Sequence, residues 1–393
     1  MTRPLNLLVS GGGIGGLAAA LVLARNGHAV TVLEQSAAFG EIGAGIQLGP
    51  NIFKMFEYLG LTEAINRVAF FPTGLGMNDV RTGEKVVRVP LGDLAHAAYG
   101  YPYGVIYRPD IHQVFLDACA ALPHVVLRTS SKVESFAQDA GGVQVRIAGG
   151  EVLQGDALIA ADGLWSRIRE AVVGDGKPRV SGHIAYRAVL KREDVPDHLW
   201  SDDVLLWGGE KTHLVHYPLR RGELFNLVAV FHSNKYDEGW NTFGDTAELN
   251  ERFARAVPQV QELLGRIETW KMWVLCDREP VKNWSDRRVT LLGDAAHPML
   301  QYMAQGACMA MEDAVCLADS LAKTDTLESG LETYRARRVL RTARVQLMSR
   351  AMGDHVYHPA GPHAALRNAI MSAKSQPEWY AVLDWLYGGS GLD

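Results

Sequence analysis

Two short stretches of this sequence carry residue types whose spacing could do chemistry. One is His213-Leu214-Val215-His216-Tyr217-Pro218. Alternation along a strand puts His213, Val215 and Tyr217 on one face and His216 on the other. That argues against His213 and His216 chelating one metal ion. An imidazole, with an ordinary pKa of about 6.5, suits proton transfer near neutral pH. Tyr217 follows on the same face, roughly 13 Å along the strand. The plainer reading is a strand histidine bonded to backbone beside a core tyrosine. The second stretch is Gly11-x-Gly13-x-x-Gly16, which includes Ile14 and Gly15. There the first glycine permits a tight turn, the second lets backbone approach a pyrophosphate, and the third lets helix pack on strand. Glu34 lies 18 residues beyond Gly16, where a carboxylate accepts from ribose hydroxyls and repels a 2′-phosphate.

These residues need elements to hold them. Leu5–Val9 reads as a buried strand, Ile14 to Asn26 as a helix and Ala29–Leu33 as the next strand, ending at Glu34. This is the first βαβ unit of a doubly wound α/β sheet. No charged residue occurs from Pro4 to Ala24, yet glycines crowd the middle of that run, which disfavours one continuous apolar helix. A strand, turn and helix are expected there, not a signal or a membrane span. Gly40 to Gly49 reads as a long loop, Asn51–Leu59 and Asp110–Ala121 as helices, and Val125–Ser130, Gly142–Ile147 and Ala157–Ala160 as strands. After about Lys177 the texture changes to short apolar or alternating runs (Val204–Trp207, His213–Pro218, Leu224–Phe231, Met272–Cys276), the pattern of a mostly antiparallel inserted sheet. Val289–Leu292 is a further strand, followed by a Gly-Asp turn and a helix to about Leu321. A cationic helix (Tyr334–Arg350) and an aromatic cluster with Trp379, Tyr380, Trp385 and Tyr387 close the chain.

Composition bounds the function. In 393 residues, 48% hydrophobic and 21% charged with a net charge of −5 describe a globular chain that lacks the basic excess of a nucleic-acid binder. Four cysteines without CxxC spacing make neither a disulfide framework nor a zinc site. A cytoplasmic protein that handles small molecules and holds no metal is expected.

Two later motifs decide which dinucleotide the glycine turn serves. Ala161-Asp162-Gly163-Leu164-Trp165-Ser166-Arg167-Ile168-Arg169 ends one strand and opens a helix. Leu291-Leu292-Gly293-Asp294-Ala295-Ala296-His297-Pro298 follows another strand, with a helix beginning near Gly306. In order and spacing, over essentially the whole chain, these motifs resemble those of the single-component FAD-dependent aromatic hydroxylases of the para-hydroxybenzoate and salicylate hydroxylase type. The resemblance implies a glutathione-reductase-like Rossmann domain binding FAD non-covalently, in two parts (1–175 and 277–350). It also implies a substrate-binding sheet domain (176–276) and a C-terminal helical tail (351–393). Asp294 then meets the flavin's ribityl chain, and the helix N-terminus at Gly306 and Ala307 faces the pyrimidine edge, where it favours the negative charge of reduced flavin. Asp162 of the middle motif lies beside the cofactor. Arg108, in Tyr107-Arg108-Pro109-Asp110-Ile111-His112, reaches it, and Val133 touches the adenine. A surface ion pair is the alternative for Arg108.

Within that family the chain is similar to the 3-hydroxybenzoate 6-hydroxylases. Gln47, in the loop lining the flavin's reactive side, stands where 6-hydroxynicotinate 3-monooxygenases carry histidine, which argues against a pyridine substrate. His213-x-x-x-Tyr217-Pro218-Leu219-Arg220 resembles the subgroup's corresponding strand, and a hydroxybenzoate fits between His213 and Tyr217. Gln301 replaces a proline typical of the wider family and is expected to orient the substrate, while His297 and Cys308 read as structural. The resemblance implies 3-hydroxybenzoate + NADH + O2 + H⁺ → 2,5-dihydroxybenzoate + NAD⁺ + H2O, through a flavin C4a-hydroperoxide. NADH is expected to visit transiently near Arg167 or Arg169, and a homodimer is possible. Other readings are a decarboxylating salicylate 1-monooxygenase, a 6-hydroxynicotinate 3-monooxygenase-like enzyme, an NAD-dependent dehydrogenase and a non-catalytic flavin-binding module.

Overall fold

The computed structural model describes residues 4–235, 240–389 and 392. The apolar strand Asn6–Ser10 pairs in parallel with Ala29–Leu33 on one side and Ala157–Ala160 on the other. Val125–Arg128 and Val289–Leu291 extend that sheet in parallel, and Ser285–Asp286 closes one edge antiparallel, making six strands. The helix Ile14–Arg25 is buried on nearly every side, which explains the long stretch without charge. Each of its fully buried leucines (Leu17, Leu21, Leu23) contributes about 1.5–3 kcal/mol relative to exposure. Among the described residues no helix is long and apolar enough to cross a membrane.

The helix Gly306–Lys323 packs on Ile14–Arg25 and is tied to the next helix, Leu327–Met352, by buried charge. The Arg338 guanidinium reaches Asp313 at 2.6 Å and Glu312 at 2.7 Å, and Arg341 reaches Glu312 at 2.7 Å. Because these carboxylates are fully buried, removing one partner would strand a charge, at a cost of about 3–5 kcal/mol.

The second sheet has eight strands, in the order Trp240–Phe243, Lys271–Asp277, Arg179–Lys191, Leu224–His232, Thr212–Leu219, Val204–Gly209, Gly74–Asp79, Lys85–Pro90. It is antiparallel except where Val204–Gly209 meets Gly74–Asp79. Two features depart from the sequence expectation. The long central strand Arg179–Lys191 was not legible, because a register shift between Val180 and Ile184, with Gly182 at φ 79°, interrupts the period-2 pattern. The last two strands at one side of the sheet come from residues 74–90, so this sheet draws on chain ahead of the expected boundary at 175. In addition, Gly40 to Gly49 is not all loop, since Gly45–Leu48 pairs with Gly104–Tyr107. After Met352 a π-helical turn, Gly353–Tyr357, redirects the chain into two further helices, Gly361–Ala373 and Gln376–Tyr387.

Candidate active site

Between the parallel sheet and the antiparallel sheet lies a cavity of about 810 Å³, large for a small-molecule site. Its two ends are built differently. At the first end the wall is mostly backbone. Gly11 turns at φ 104°, and a Cβ there would sit 2.3 Å from the Ala161 carbonyl oxygen. A Cβ on Gly16 would sit 2.0 Å from the Gly11 carbonyl oxygen, whereas one on Gly13, which lines the cavity, would come no closer than 3.5 Å to Glu41 Oε1. Ile14 and Gly15 continue this wall. The His112 ring bonds the Gly12 carbonyl at 2.8 Å. Glu34 braces the same turn, accepting from the Gly12 and Ser36 amides at 2.8 Å each, and keeps further lone pairs for a ligand. Val133, Asp162, Asp294, Gly306 and Ala307 complete this end.

The Gly-Asp turn is held from behind. Asp313 accepts from the Gly293 amide at 3.0 Å and meets His297 at 2.5 Å, and His297 and Arg338 hold its carboxyl down at about 2 against the opposing effect of burial. His297 is therefore a brace. Asp294, next to Gly293, faces the cavity and has no hydrogen-bond partner among the described residues; its position deep in the molecule raises its pKa. Burial likewise raises the Asp162 carboxyl, one of whose oxygens is unpaired. The first turn of Gly306–Lys323 has no side-chain cap, so its amide groups are available to a ligand.

The second end is a side-chain wall. His213, Val215 and Tyr217 all line the cavity, while His216 points away and accepts from the Trp207 indole at 3.0 Å, as strand alternation requires. Gln301 lines it as well, on a short turn whose end, Ala304, sits in the left-handed region at φ 52°. Gln47, on the strand Gly45–Leu48, accepts from the Tyr103 hydroxyl at 2.5 Å and lies beside Tyr217. Burial pushes the Tyr217 phenol up, so it stays neutral and can donate. Burial lowers the His213 imidazole well below its ordinary value, with His183 and His232 adding to the effect.

The FAD-binding-domain family matches residues 5–349. The chain is 45% identical over 385 residues to the 3-hydroxybenzoate 6-hydroxylase of Polaromonas naphthalenivorans (strain CJ2), covering 98% of this chain and 96% of that protein. It is 43% identical over 383 residues to 3-hydroxybenzoate 6-hydroxylase 1 of Aquipseudomonas alcaligenes, covering 98% and 97%. Among solved structures, Klebsiella pneumoniae HpxO complexed with FAD and uric acid superposes with a TM-score of 0.86 at 26% identity, covering 98% and 97%. The chain belongs to the FAD-binding family. It is an FAD-dependent monooxygenase.

The monooxygenase's cavity fits FAD on three observations: the open approach at Gly13, the unpartnered Asp294 carboxylate and the uncapped helix at Gly306. Arg108 lines the same end and pairs with Glu41 at 3.0 Å, so the ion pair is present at the cavity wall. Arg169 is not free to meet NADH. It is fully buried, bonded to Asp175 and to the Ala295 carbonyl at 2.8 Å, so it fastens the two flavin-side motifs together. Arg167 is exposed at the cavity mouth.

Sequence reasoning missed two residues of the flavoprotein's cavity wall, Arg187 and Tyr357, and one that stands behind it, His358. Arg187 lines the cavity, donates to Gln301 Oε1 at 2.6 Å, lies over Trp273 at 5.4 Å, and leaves its Nε unpartnered. An arginine inside the apolar run Ile184–Leu190 was a usable signal, since charge is rarely buried without a task. Tyr357 and His358 arrive from the tail, and no local pattern announced them. Cys308 is packed at 0% exposure, its thiol pushed up to about 12 by burial, which makes it inert.

Proposed function

We propose that this monooxygenase converts 3-hydroxybenzoate, NADH, O2 and H⁺ to 2,5-dihydroxybenzoate, NAD⁺ and H2O. The observation that carries this reading is the wall itself: His213, Tyr217, Gln301 and Arg187 all face one cavity next to the proposed flavin end. The names of the relatives support it. FAD, when bound, supplies the redox chemistry, taking electrons from NADH and activating O2.

The remaining work falls to side chains. Arg187 lines the cavity and offers the substrate carboxylate its cationic guanidinium, which Gln301 fixes. A charged hydrogen bond of this kind contributes on the order of 1.5–3 kcal/mol. Tyr217 donates to the same end of the ring. His213, kept neutral, accepts the phenol proton, which makes the ring electron-rich at the carbon para to the oxygen. The ring hydroxyl of 3-hydroxybenzoate is free to meet that base, whereas salicylate's is tied to its own carboxylate; this favours the meta isomer over the decarboxylating alternative. On the flavin side, Gly13, Glu34, Arg108, Val133, Asp162, Asp294, Gly306 and Ala307 hold the cofactor. The four buried cysteines, none in a disulfide, support a reducing, cytoplasmic setting.

Chromatography of the product tests the reading. 2,5-Dihydroxybenzoate from 3-hydroxybenzoate, without CO2, is the expected outcome. Catechol from salicylate, with 3-hydroxybenzoate inert, would overturn it.

A further inference from the structure

A base that cannot hold its proton needs somewhere to send it. Behind His213, on the side away from the cavity, three more imidazoles stand together: His183, His232 and His358. His213 Nδ1 lies 2.7 Å from His358 Nε2, and His358 Nδ1 lies 3.1 Å from His232 Nε2. The chain of contacts thus enters His358 at one ring nitrogen and leaves at the other. His232 is the outermost of the three, half-buried, and lines a separate surface cleft of about 280 Å³ with Lys211 and Glu210.

The alternative task for such a cluster is a metal ion, because ligand atoms of His183, His232 and His358 lie within 4.8 Å of one another. The ring geometry opposes it. His183 and His232 are stacked, centroids 4.0 Å apart and planes 26° apart. Their in-plane lone pairs therefore run side by side instead of converging on a tetrahedral centre. His183 Nδ1 is also engaged by the Tyr302 hydroxyl.

We propose that His213, His358 and His232 form a proton relay that carries the substrate's phenolic proton from the active-site cavity to solvent. It rests on the reading of His213 as the base. The balance is simple. The phenol O–H breaks and its proton joins His213 Nε2; the proton on His213 Nδ1 passes to His358 Nε2. The proton on His358 Nδ1 passes to His232 Nε2, and His232 releases its other proton to water in the surface cleft. Each imidazole ends neutral, as the tautomer opposite to the one it started in, and no electron moves.

Two physical features favour the relay over a resting charge. Burial and neighbouring imidazoles disfavour the cationic form of His213 and His358, so an imidazolium there is a short-lived carrier and not a store. The path is also held in line: Tyr357 meets the His213 ring edge-on at 4.8 Å, and the π-helical turn that bears it sets His358 in place. Such turns are found frequently at functional sites. His358 and Tyr357 are thus the part of the tail that belongs to the chemistry.

The test mixes oxidised, FAD-loaded enzyme with 3-hydroxybenzoate in weak buffer and follows proton release with an indicator dye by stopped flow. His358→Gln keeps hydrogen bonds at both ends, but an amide cannot take a proton at one atom and give it up at the other. It is expected to slow proton release at least about tenfold, the lower end of a base's contribution, with substrate affinity and flavin content unchanged. His232→Gln, at the half-buried outer end, is expected to slow it too. Imidazole in solution should restore that variant and leave His358→Gln slow. Wild-type release in both variants would overturn the relay. If His213→Ala alone abolished release, His213 would stand as the base without the relay; wild-type release in His213→Ala would remove the base and the relay together.

Discussion

The two ends of the cavity solve the same problem, holding a small molecule, with different materials. The end where we place the flavin is made of turns whose shape is fixed by glycine. Gly11 and Gly16 leave no room for a methyl group, and Glu34 and His112 lock the turn through its amide and carbonyl groups. The end where we place the substrate is made of side chains from five distant segments: His213 and Tyr217, Arg187, Gln301, Gln47, and Tyr357 of the tail. The lesson is that a backbone site is written locally, whereas a side-chain site exists only once the sheets have closed. The first should tolerate changes in the second.

The largest expected effect tests that independence. His213→Ala should slow hydroxylation by about 10²–10⁴-fold, while the flavin spectrum and flavin content stay as in wild type. NADH oxidation should continue with O2 going to hydrogen peroxide, because the ring is not activated. Loss of flavin in this variant would mean that the two ends are mechanically one. An unchanged hydroxylation rate would place the base elsewhere.

The mirror experiment is smaller. Asp294→Ala removes a carboxylate that faces the cavity with no protein partner, so the lost interaction is with the cofactor and not within the fold. A charged hydrogen bond of about 1.5–3 kcal/mol corresponds to FAD binding weakened by about 10- to 150-fold. Flavin fluorescence released on dialysis measures it, and wild-type retention would remove Asp294 from the cofactor site. Turnover at saturating FAD should fall much less than in His213→Ala.

The same contrast explains what could be read from the chain. The strands Asn6–Ser10, Ala29–Leu33 and Ala157–Ala160 and the helix Ile14–Arg25 were legible within a residue or two. Continuous apolar runs punctuated by glycine have few other solutions. The face shared by His213 and Tyr217 was legible too, because period 2 fixes it. Arg179–Lys191 was not, since a bulge at Gly182 breaks the period. Nor was the hairpin at 74–90, whose strand Gly74–Asp79 pairs with Val204–Gly209 more than a hundred residues away. Arg169 misled for the opposite reason: it sits in a conspicuous motif, but its guanidinium is spent on Asp175 and two carbonyls. His358 carried no local signal at all; only the turn after Met352 brings it to His213.

The smallest expected effect sharpens the alternation that defines the wall. His216 shares the strand with His213 but lies on the opposite face, 1% exposed, accepting from the Trp207 indole with its Nδ1 unpartnered. Burial lowers its pKa to about 3. A histidine lowered in the folded state is protonated first in the unfolded chain. The unfolded chain therefore binds the extra proton between the ordinary value of about 6.5 and about 3, and stability falls as pH falls through that window. The slope for one such group is about 1.4 kcal/mol per pH unit. His216→Gln keeps an acceptor for Trp207 but does not titrate, so the acids and other histidines cancel when wild type and variant are compared. Denaturant unfolding at a series of pH values should show the variant gaining on wild type by about 1.4 kcal/mol per unit as pH drops, with product formation at neutral pH nearly unchanged. Parallel stability curves would mean that His216 is not held neutral in the interior, and the division of this strand into a cavity face and a packing face would fail with it.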